Sequence, residues 1–278
     1  MKDSTAFPDL QMLPTEALVP HEEHDPRRIE KLCQRIQEDG ILKNPPIVAP
    51  IPEDQRYVVL DGANRTLAFT HLGIPHIVAQ IVRYDSPGVI LDTWYHVVSG
   101  MPVEEFEERL AQVAGMNLQA STLEESRRRL EVGEALAYII TASGVRLVPC
   151  PSGCQPRDLR LLKALVSTYK GRADIFRASN DSWELQAPSY PRITALVIFP
   201  RYQPQDILRA ALDNERFPSG ITRHIIPNRA LNINIPLDVL SADWSLEQKR
   251  GWLQDWLMER LAANAIRYYA EPTFSFNE

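Results

Sequence analysis

In VVLDGANRTLAF, residues 58 to 69, a run of β-branched and aliphatic residues stops at Asp61-Gly62, and a helical pattern with an asparagine and an arginine in its first turn begins at once. A buried strand that hands directly to a helix belongs to an α/β unit whose loops gather at one end of a sheet. Such a turn exposes backbone N–H groups at the positive end of a helix dipole, where an anion is stabilised. The same sequence is ordinary helix-capping chemistry, so the turn by itself leaves phosphate binding and capping both open. Arg65 favours the first, because a cation in the opening turn opposes the dipole unless an anion or a carboxylate answers it.

The flanking sequence fits such a unit. Asp25-Pro26 followed by Ile29, Leu32, Cys33 and Ile36 gives an N-cap, a proline at the first helical position and an apolar stripe, and Gly40 stops the helix. Ile47-Val48-Ala49, a polar turn at Pro52 to Gln55 and a strand from Tyr57 to Leu60 predict a hairpin or adjacent strands. A helix from about Ala63 to His71 ends at Gly73, and PHIVAQIV at 75–82 predicts another strand. PVEEFEERLAQV and TLEESRRRLEVGEALAYII then predict two helices, the second capped by Ser121 or Thr122. Beyond them the pattern predicts a strand at VRLVP, a helix near Arg157 to Tyr169, an apolar strand from Ile193 to Phe199 and a helix near Gln205 to Asn214. Strands near Arg223 to Ile226 and Leu231 to Ile235 and an amphipathic helix from Leu246 to about Ile266 complete the chain. The expected fold class is α+β with mixed α/β content, in two units, 1–105 and 106–278.

Composition excludes several functions. With 44% hydrophobic and 24% charged residues and no apolar run near the roughly 18 residues of a membrane span, the chain reads as a globular protein without a membrane segment. MKDSTAFPDLQMLP has neither the basic nor the apolar region of a secretory signal, and Cys33, Cys150 and Cys154 are an odd count without framework spacing, which predicts a reducing, cytoplasmic setting. Cys150 and Cys154 in CPSGC are too far apart for CxxC redox chemistry and read as structural or incidental. A formal net charge of -6 argues against nucleic acid as a partner, since duplex binding rests on clustered Lys and Arg.

Other stretches carry chemistry. VPHEEHDPRR places His21, Glu22, Glu23 and His24 before the first helix, where they could supply a general base or metal ligands; the plainer alternative is solvated histidines, with Glu23 and Asp25 complementing the helix N-terminus. The run lacks the HExxH spacing that puts two histidines on one helical face, so a base is favoured over zinc. SGITRHIIP offers Thr222, Arg223 and His224, either as a clamp for a small carboxylate or as a polar strand edge, and Arg229 in IPNR is a weaker candidate of the same kind. In KNPPI, Asn44 and two prolines make a stiff loop, with Lys43 beside it. Trp94 and His96 lie in a strand-like segment. Trp244, Trp252 and Trp256 with Leu253 and Leu257 form a helical face for core or for an oligomer interface, and RYYAEPTFSFNE fits docking on a second subunit, which makes a homodimer an expectation.

The stretch from LPTEALVPHEEHDPRR through DGANRTLAFTHLGIPHIVAQIV resembles the ParB/sulfiredoxin-like superfamily, and within it the free L-serine kinase branch. Members of that branch phosphorylate the amino acid itself to O-phospho-L-serine with ADP or ATP as donor. The resemblance is carried by His21-Glu22, the Gly40 to Pro46 segment, the DG-x-x-R turn, Trp94 in LDTWYHVV and the C-terminal GITRHIIPNRALNINIPLD. It implies a nucleotide-binding N-terminal domain and a substrate-binding C-terminal domain with the active-site cleft between them. Glu22 is then the general base, and Asp61, Gly62, Ala63, Asn64 and Arg65 form the phosphate site with Lys43 near it. Asn44, Trp94, Thr222, Arg223 and His224 face the substrate, and Asp61 has a catalytic role as a direct or water-mediated ligand of Mg2+. The family often has histidine at position 64; Asn64 can still hydrogen-bond phosphate oxygens but cannot supply an imidazole.

Elementary chemistry asks for the same parts. Phosphoryl transfer needs in-line positioning, charge neutralisation and a residue that orients or deprotonates the nucleophile. A carboxylate is a weak base toward an alcohol, so its proton is taken late. The alternative is a ParB-like nucleotide-binding regulator acting through conformation or DNA, opposed by the negative charge and by the lack of a clear basic helix-turn-helix after residue 105. A sulfiredoxin-type reductase needs a cysteine in the turn, and DGANR has none.

Overall fold

The computed structural model describes residues 7–24, 26–150 and 158–269. The chain runs β1 (Asp9–Pro14), β2 (Leu18–Pro20), α1 (Pro26–Asp39), β3 (Ile41–Leu42), β4 (Ile47–Pro50), β5 (Tyr57–Asp61), α2 (Ala63–His71) and β6 (His76–Ile81). It continues through β7 (Ile90–Thr93), β8 (Tyr95–Ser99), α3 (Val103–Ala111), β9 (Gln119–Ser121), α4 (Leu123–Glu131), β10 (Ala135–Thr141), β11 (Gly144–Pro149) and α5 (Leu159–Ser167). It closes with β12 (Asp174–Ala178), α6 (Trp183–Gln186), β13 (Ile193–Ile198), α7 (Pro204–Leu212), β14 (Thr222–Ile225), β15 (Ile235–Pro236), α8 (Leu237–Ser241) and α9 (Leu246–Ala262).

The first sheet has the order β1-β6-β4-β5-β2, with β4/β6 and β2/β5 parallel and the other pairs antiparallel. The register Leu18↔Tyr57, Pro20↔Val59 sets the C-terminal ends of β2 and β5 side by side. The chain therefore leaves β2 into His21-Glu22 beside the point where β5 hands to α2. That adjacency of parallel strand ends positions the site, as in other open α/β sheets.

Alternation along β5 explains why VVL is apolar throughout. Val58 and Leu60 point to one side, into a core shared with the second unit that includes Val98, Leu136, Tyr169, Phe199 and Phe217. Val59 points to the other, into a core with Ile29, Cys33 and Ile36 of α1 and Phe69 of α2. A strand buried on both faces reads as a continuous hydrophobic run. The second sheet, β12-β8-β13-β10-β11-β9, is antiparallel throughout, and β7 and β3 pair separately with β14 and β15.

Three expectations are corrected. The helix predicted through EALAYII stops at Glu131: Gly133 takes φ +79°, and ALAYIIT becomes β10, buried at every position. A short apolar run of this kind does not distinguish a buried strand from a buried helix by period. The strand predicted over Leu231 to Ile235 shrinks to Ile235–Pro236, because Asn232 and Asn234 adopt left-handed φ values of +53° and +49°. The units also interleave: β8 ends at Ser99, before the expected boundary at 105, yet lies between β12 and β13 in the second sheet. Conversely Ile235, Leu240 of α8 and Leu253 of α9 return to the core of the first sheet.

In that return, Trp252 and Trp256 stack at 6.4 Å and pack on the first core, so this aromatic face serves the protein interior. Thr122 caps α4 by accepting from the Glu125 N–H at 3.2 Å. Cys33 is a buried free thiol and Cys150 is disulfide-bonded. Cys154, Asp25, Arg157 and the segment from Ala270 onward lie outside the described residues. Among the described residues no helix is long and apolar enough to cross a membrane.

Candidate active site

The loop after β2 does not present its four titratable side chains together. His21 is buried; its Nδ1 donates to the Val59 carbonyl at 2.7 Å, and its Nε2 lies 2.8 Å from Thr222 Oγ1. Glu23 pairs with Lys170 at 2.8 Å, and His24 Nδ1 accepts from Arg216 at 3.0 Å. Glu22 turns its carboxylate to the backbone of the segment 220–222. Its Oε1 accepts from the Ile221 N–H at 3.2 Å, the Thr222 N–H at 2.8 Å and the Thr222 hydroxyl at 2.6 Å, while Oε2 accepts from the Gly220 N–H at 2.9 Å. Three consecutive amides fix this carboxylate, and Oε2 carries the lighter load.

The cradle depends on Gly220, which has φ +82°, a left-handed conformation that favours glycine. Behind it, His96 Nε2 donates to the Gly220 carbonyl at 3.3 Å while His96 Nδ1 accepts from the Tyr169 hydroxyl at 2.8 Å. His96 thus supports the cradle from the core.

The turn DGANR opens α2 with Gly62 as its N-cap, at φ +90° and with no side-chain cap. Asn64 is therefore in the first helical turn and is not the cap. A Cβ on Gly62 would lie 2.9 Å from Pro46 Cα, so glycine is what lets the 44–46 loop close over the turn. Arg65 fastens that loop by donating to the Asn44 carbonyl at 2.6 Å and the Pro45 carbonyl at 3.0 Å. Asp61 Oδ2 accepts from Arg229 and lies 3.6 Å from Arg65. Arg229 is delivered by a loop that the buried Gln80 holds with both ends of its amide, at 3.0 Å to the Asn228 carbonyl and 2.8 Å from the Ala230 N–H. Asn44 Oδ1 accepts from the Asn232 N–H at 2.8 Å. The turn thus concentrates two guanidinium groups, one carboxylate and a helix N-terminus, a set that suits an oligophosphate.

Thr222, Arg223 and His224 do not share a face. As β14 alternates, Thr222 and His224 turn to His21, whose ring lies 5.3 Å from that of His224. Arg223 turns away to stack on Trp94 at 4.2 Å and pair with Asp92 at 3.5 Å. His224 bonds the Tyr84 hydroxyl at 2.7 Å and the Leu60 backbone, which fits the support of β5 better than contact with substrate. Asp61, expected as catalyst and metal ligand, stands in an ion-pair array, and among the described residues no three His, Cys, Asp or Glu side chains form a metal cage. Lys43 follows β3, its carbonyl accepting from the Asn234 N–H at 3.4 Å. Ala63 opens α2.

Tyr84, Gln80, Asp92 and the amides of 220–222 lie in no catalytic motif of the sequence. Only Gly220 beside Thr222 carried a signal, that of a chain turning back with its N–H groups aligned. An open depression of about 1410 Å³ walled by Tyr95, Arg127, Tyr138, Asp181 and Arg201 includes none of Glu22, Asp61, Gly62 or Arg65.

Burial sets the charge of the histidines. It pushes His96 down to about 4 and His224 down to about 3, and it also lowers His21, against the pull of the Glu22 carboxylate. For His96 and His224 the unfolded chain binds protons first, so their stabilisation is full above about pH 6.5 and is lost as pH falls toward 4 for His96 and toward 3 for His224. The expected slope is about 1.4 kcal/mol per pH unit for each. Urea unfolding at pH 7, 6 and 5 should show it, and His96→Gln should flatten it; a midpoint constant over that range would contradict the neutral-histidine assignment.

Residues 3–92 match the ParB N-terminal domain family. Over 269 residues the chain is 25% identical to the ATP-dependent L-serine kinase SbnI of Staphylococcus aureus, covering 95% of this chain and 96% of that one. It is 23% identical over 235 residues to the ADP-dependent L-serine kinase SerK of Thermococcus kodakarensis, covering 84% and 93%. Among solved structures, C-terminally truncated SbnI from Staphylococcus aureus superposes with a TM-score of 0.74 at 22% identity over 91% of this chain and 97% of that one. A free serine kinase in complex with AMP gives 0.72 at 20% identity over 86% and 97%.

Proposed function

We infer that this chain belongs to the free L-serine kinase branch of the ParB/sulfiredoxin-like superfamily, and that it transfers a phosphoryl group from ATP or ADP to the hydroxyl of free L-serine, giving O-phospho-L-serine. The observation that carries the site assignment is the fixed Glu22 carboxylate at the end of β2, beside an uncapped helix N-terminus and Arg65 at the end of β5. The donor's phosphates bind over Gly62, Ala63, Asn64 and Arg65, with Lys43 and Arg229 as further cations. The serine lies in the cleft between the units, its carboxylate on Arg223 and its ammonium near Asp92, against Trp94. Its hydroxyl approaches the terminal phosphorus in line. Charge spreading over the phosphoryl oxygens is met by Arg65 and the α2 amides, and Glu22 takes the hydroxyl proton on Oε2 once the oxygen has become acidic.

A magnesium ion fits this arrangement in one way. With no protein cage among the described residues, it would be held by donor oxygens and by the Asp61 carboxylate. Bound there, it neutralises phosphate charge. The exposed Met258, Leu261, Tyr268 and Tyr269 are where a second copy would pair, the setting is cytoplasmic, and the net charge of -6 opposes nucleic acid as a partner.

The test pairs ATP or ADP with L-serine, L-threonine or L-homoserine in the presence of magnesium and identifies products by mass spectrometry. O-phospho-L-serine is the expected product, with at least one donor. Absence of any phosphorylated amino acid, together with sequence-specific DNA binding, would instead establish the regulator.

A further inference from the structure

The hydrogen bonds behind Glu22 are one proton short. A carbonyl can only accept, so the 2.7 Å bond to Val59 assigns a hydrogen to His21 Nδ1, and the neutral ring then has a bare acceptor at Nε2. Thr222 Oγ1 stands 2.6 Å from Glu22 Oε1 and 2.8 Å from His21 Nε2. A hydroxyl has a single hydrogen to give. While Glu22 is ionised the hydrogen goes to the carboxylate, and the His21 lone pair faces an oxygen lone pair in a buried site, an arrangement that low dielectric makes costly.

We propose that His21 is a positioning residue for the base, its Nε2 receiving the Thr222 hydroxyl bond as Glu22 takes up the substrate proton. The proposal rests on Glu22 being that base. In the step, the serine oxygen forms the new O–P bond as the bond from that phosphorus to the donor's bridging oxygen breaks, its electron pair leaving with ADP or AMP, and the serine O–H proton forms an O–H bond on Glu22 Oε2. Thr222 keeps its own proton and changes only the acceptor. Protonated Glu22 no longer needs that bond, His21 gains one it lacked, and the ring stays neutral. The exchange therefore favours proton uptake at Glu22 without a second charge. The groups packed around His21 allow this: besides Glu22 and Thr222 they are His224, itself held neutral by burial, and Phe217, whose ring lies 6.4 Å away.

Imidazole 15N spectra of the full-length protein and of Glu22→Gln, Thr222→Ser and Thr222→Val test this without turnover. Glutamine stands in for the protonated acid. The expected wild-type ring carries hydrogen on Nδ1 with an unbonded Nε2, and in Glu22→Gln the Nε2 resonance moves upfield by several ppm as it accepts the hydroxyl. That movement is retained when Thr222→Ser is added to Glu22→Gln and is lost when Thr222→Val is added. A wild-type ring protonated on Nε2, or an Nε2 resonance at the same position in wild type and Glu22→Gln, would overturn the proposal. In turnover, Thr222→Ser should keep kcat within about 3-fold while Thr222→Val lowers it about 10-fold with the KM for serine unchanged. Equal kcat for the two would also overturn it. Because the spectra need no substrate, absence of phosphoserine would sink the kinase reading alone and leave the hydroxyl exchange to be decided by NMR.

Discussion

Glu22→Gln should lower kcat by about 10²- to 10⁴-fold, the usual range for removing a general base, while nucleotide still binds. The amide cannot take a proton from serine, yet it is nearly the same size as the carboxylate and its oxygen can still accept from the Ile221 and Thr222 amides, with only the Gly220 N–H losing its acceptor. The loss should fall on kcat and kcat/KM alike, since the interaction is made in the transition state. Titration calorimetry with a non-hydrolysable nucleotide and steady-state phosphoserine formation separate binding from turnover. A variant with wild-type kcat would remove Glu22 from the base role; a variant that no longer binds nucleotide would make it part of the phosphate site.

Gly62→Ala should damage both stability and nucleotide binding. The backbone there has φ +90°, which costs about 1–2 kcal/mol for a residue with a Cβ. The added carbon would sit 2.9 Å from Pro46 Cα, backbone that cannot swing away, for roughly a further 1–3 kcal/mol of overpacking. Displacing the 44–46 loop also frees Arg65 from the Asn44 and Pro45 carbonyls, so nucleotide affinity should fall by about 10-fold or more. Gly73→Ala is the control: it also has positive φ, +66°, but nothing within 4 Å of its Cβ, and it should lose only the backbone contribution with turnover intact. Equal stability losses in the two variants would show that the close approach to Pro46 does not matter.

Much of the first unit was legible because local signals agreed there. Pro26 at a helix start, Gly40 and Gly73 at helix ends and a doubly buried VVL run each point to the element found. EALAYII was misread because seven buried residues in a central strand lose the alternation that marks a strand. At the site, Glu22 and the DGANR turn were visible as residue types, but their partners were not. Gly220 to Thr222 lie about 200 positions from Glu22, and Arg229 is 168 positions from Asp61. Those contacts follow from β7 pairing with β14 and from Gln80 holding the Asn228 to Ala230 loop, and single-sequence patterns do not encode such pairings. The period-2 rule could have separated Arg223 from Thr222 and His224 in advance. Asn64 lies inside the first turn of a helix without a side-chain cap, so the departure from histidine leaves the amides and Arg65 of the proposed phosphate site in place.

The most direct measurement of the central claim is 31P NMR of the purified protein with L-serine, magnesium and either ATP or ADP. A serine phosphomonoester resonance should grow in step with loss of the donor's terminal phosphate, giving ADP from ATP or AMP from ADP, and should be absent without serine or with Glu22→Gln. Donor loss to inorganic phosphate at the same rate with and without serine, or no donor loss at all, would contradict it.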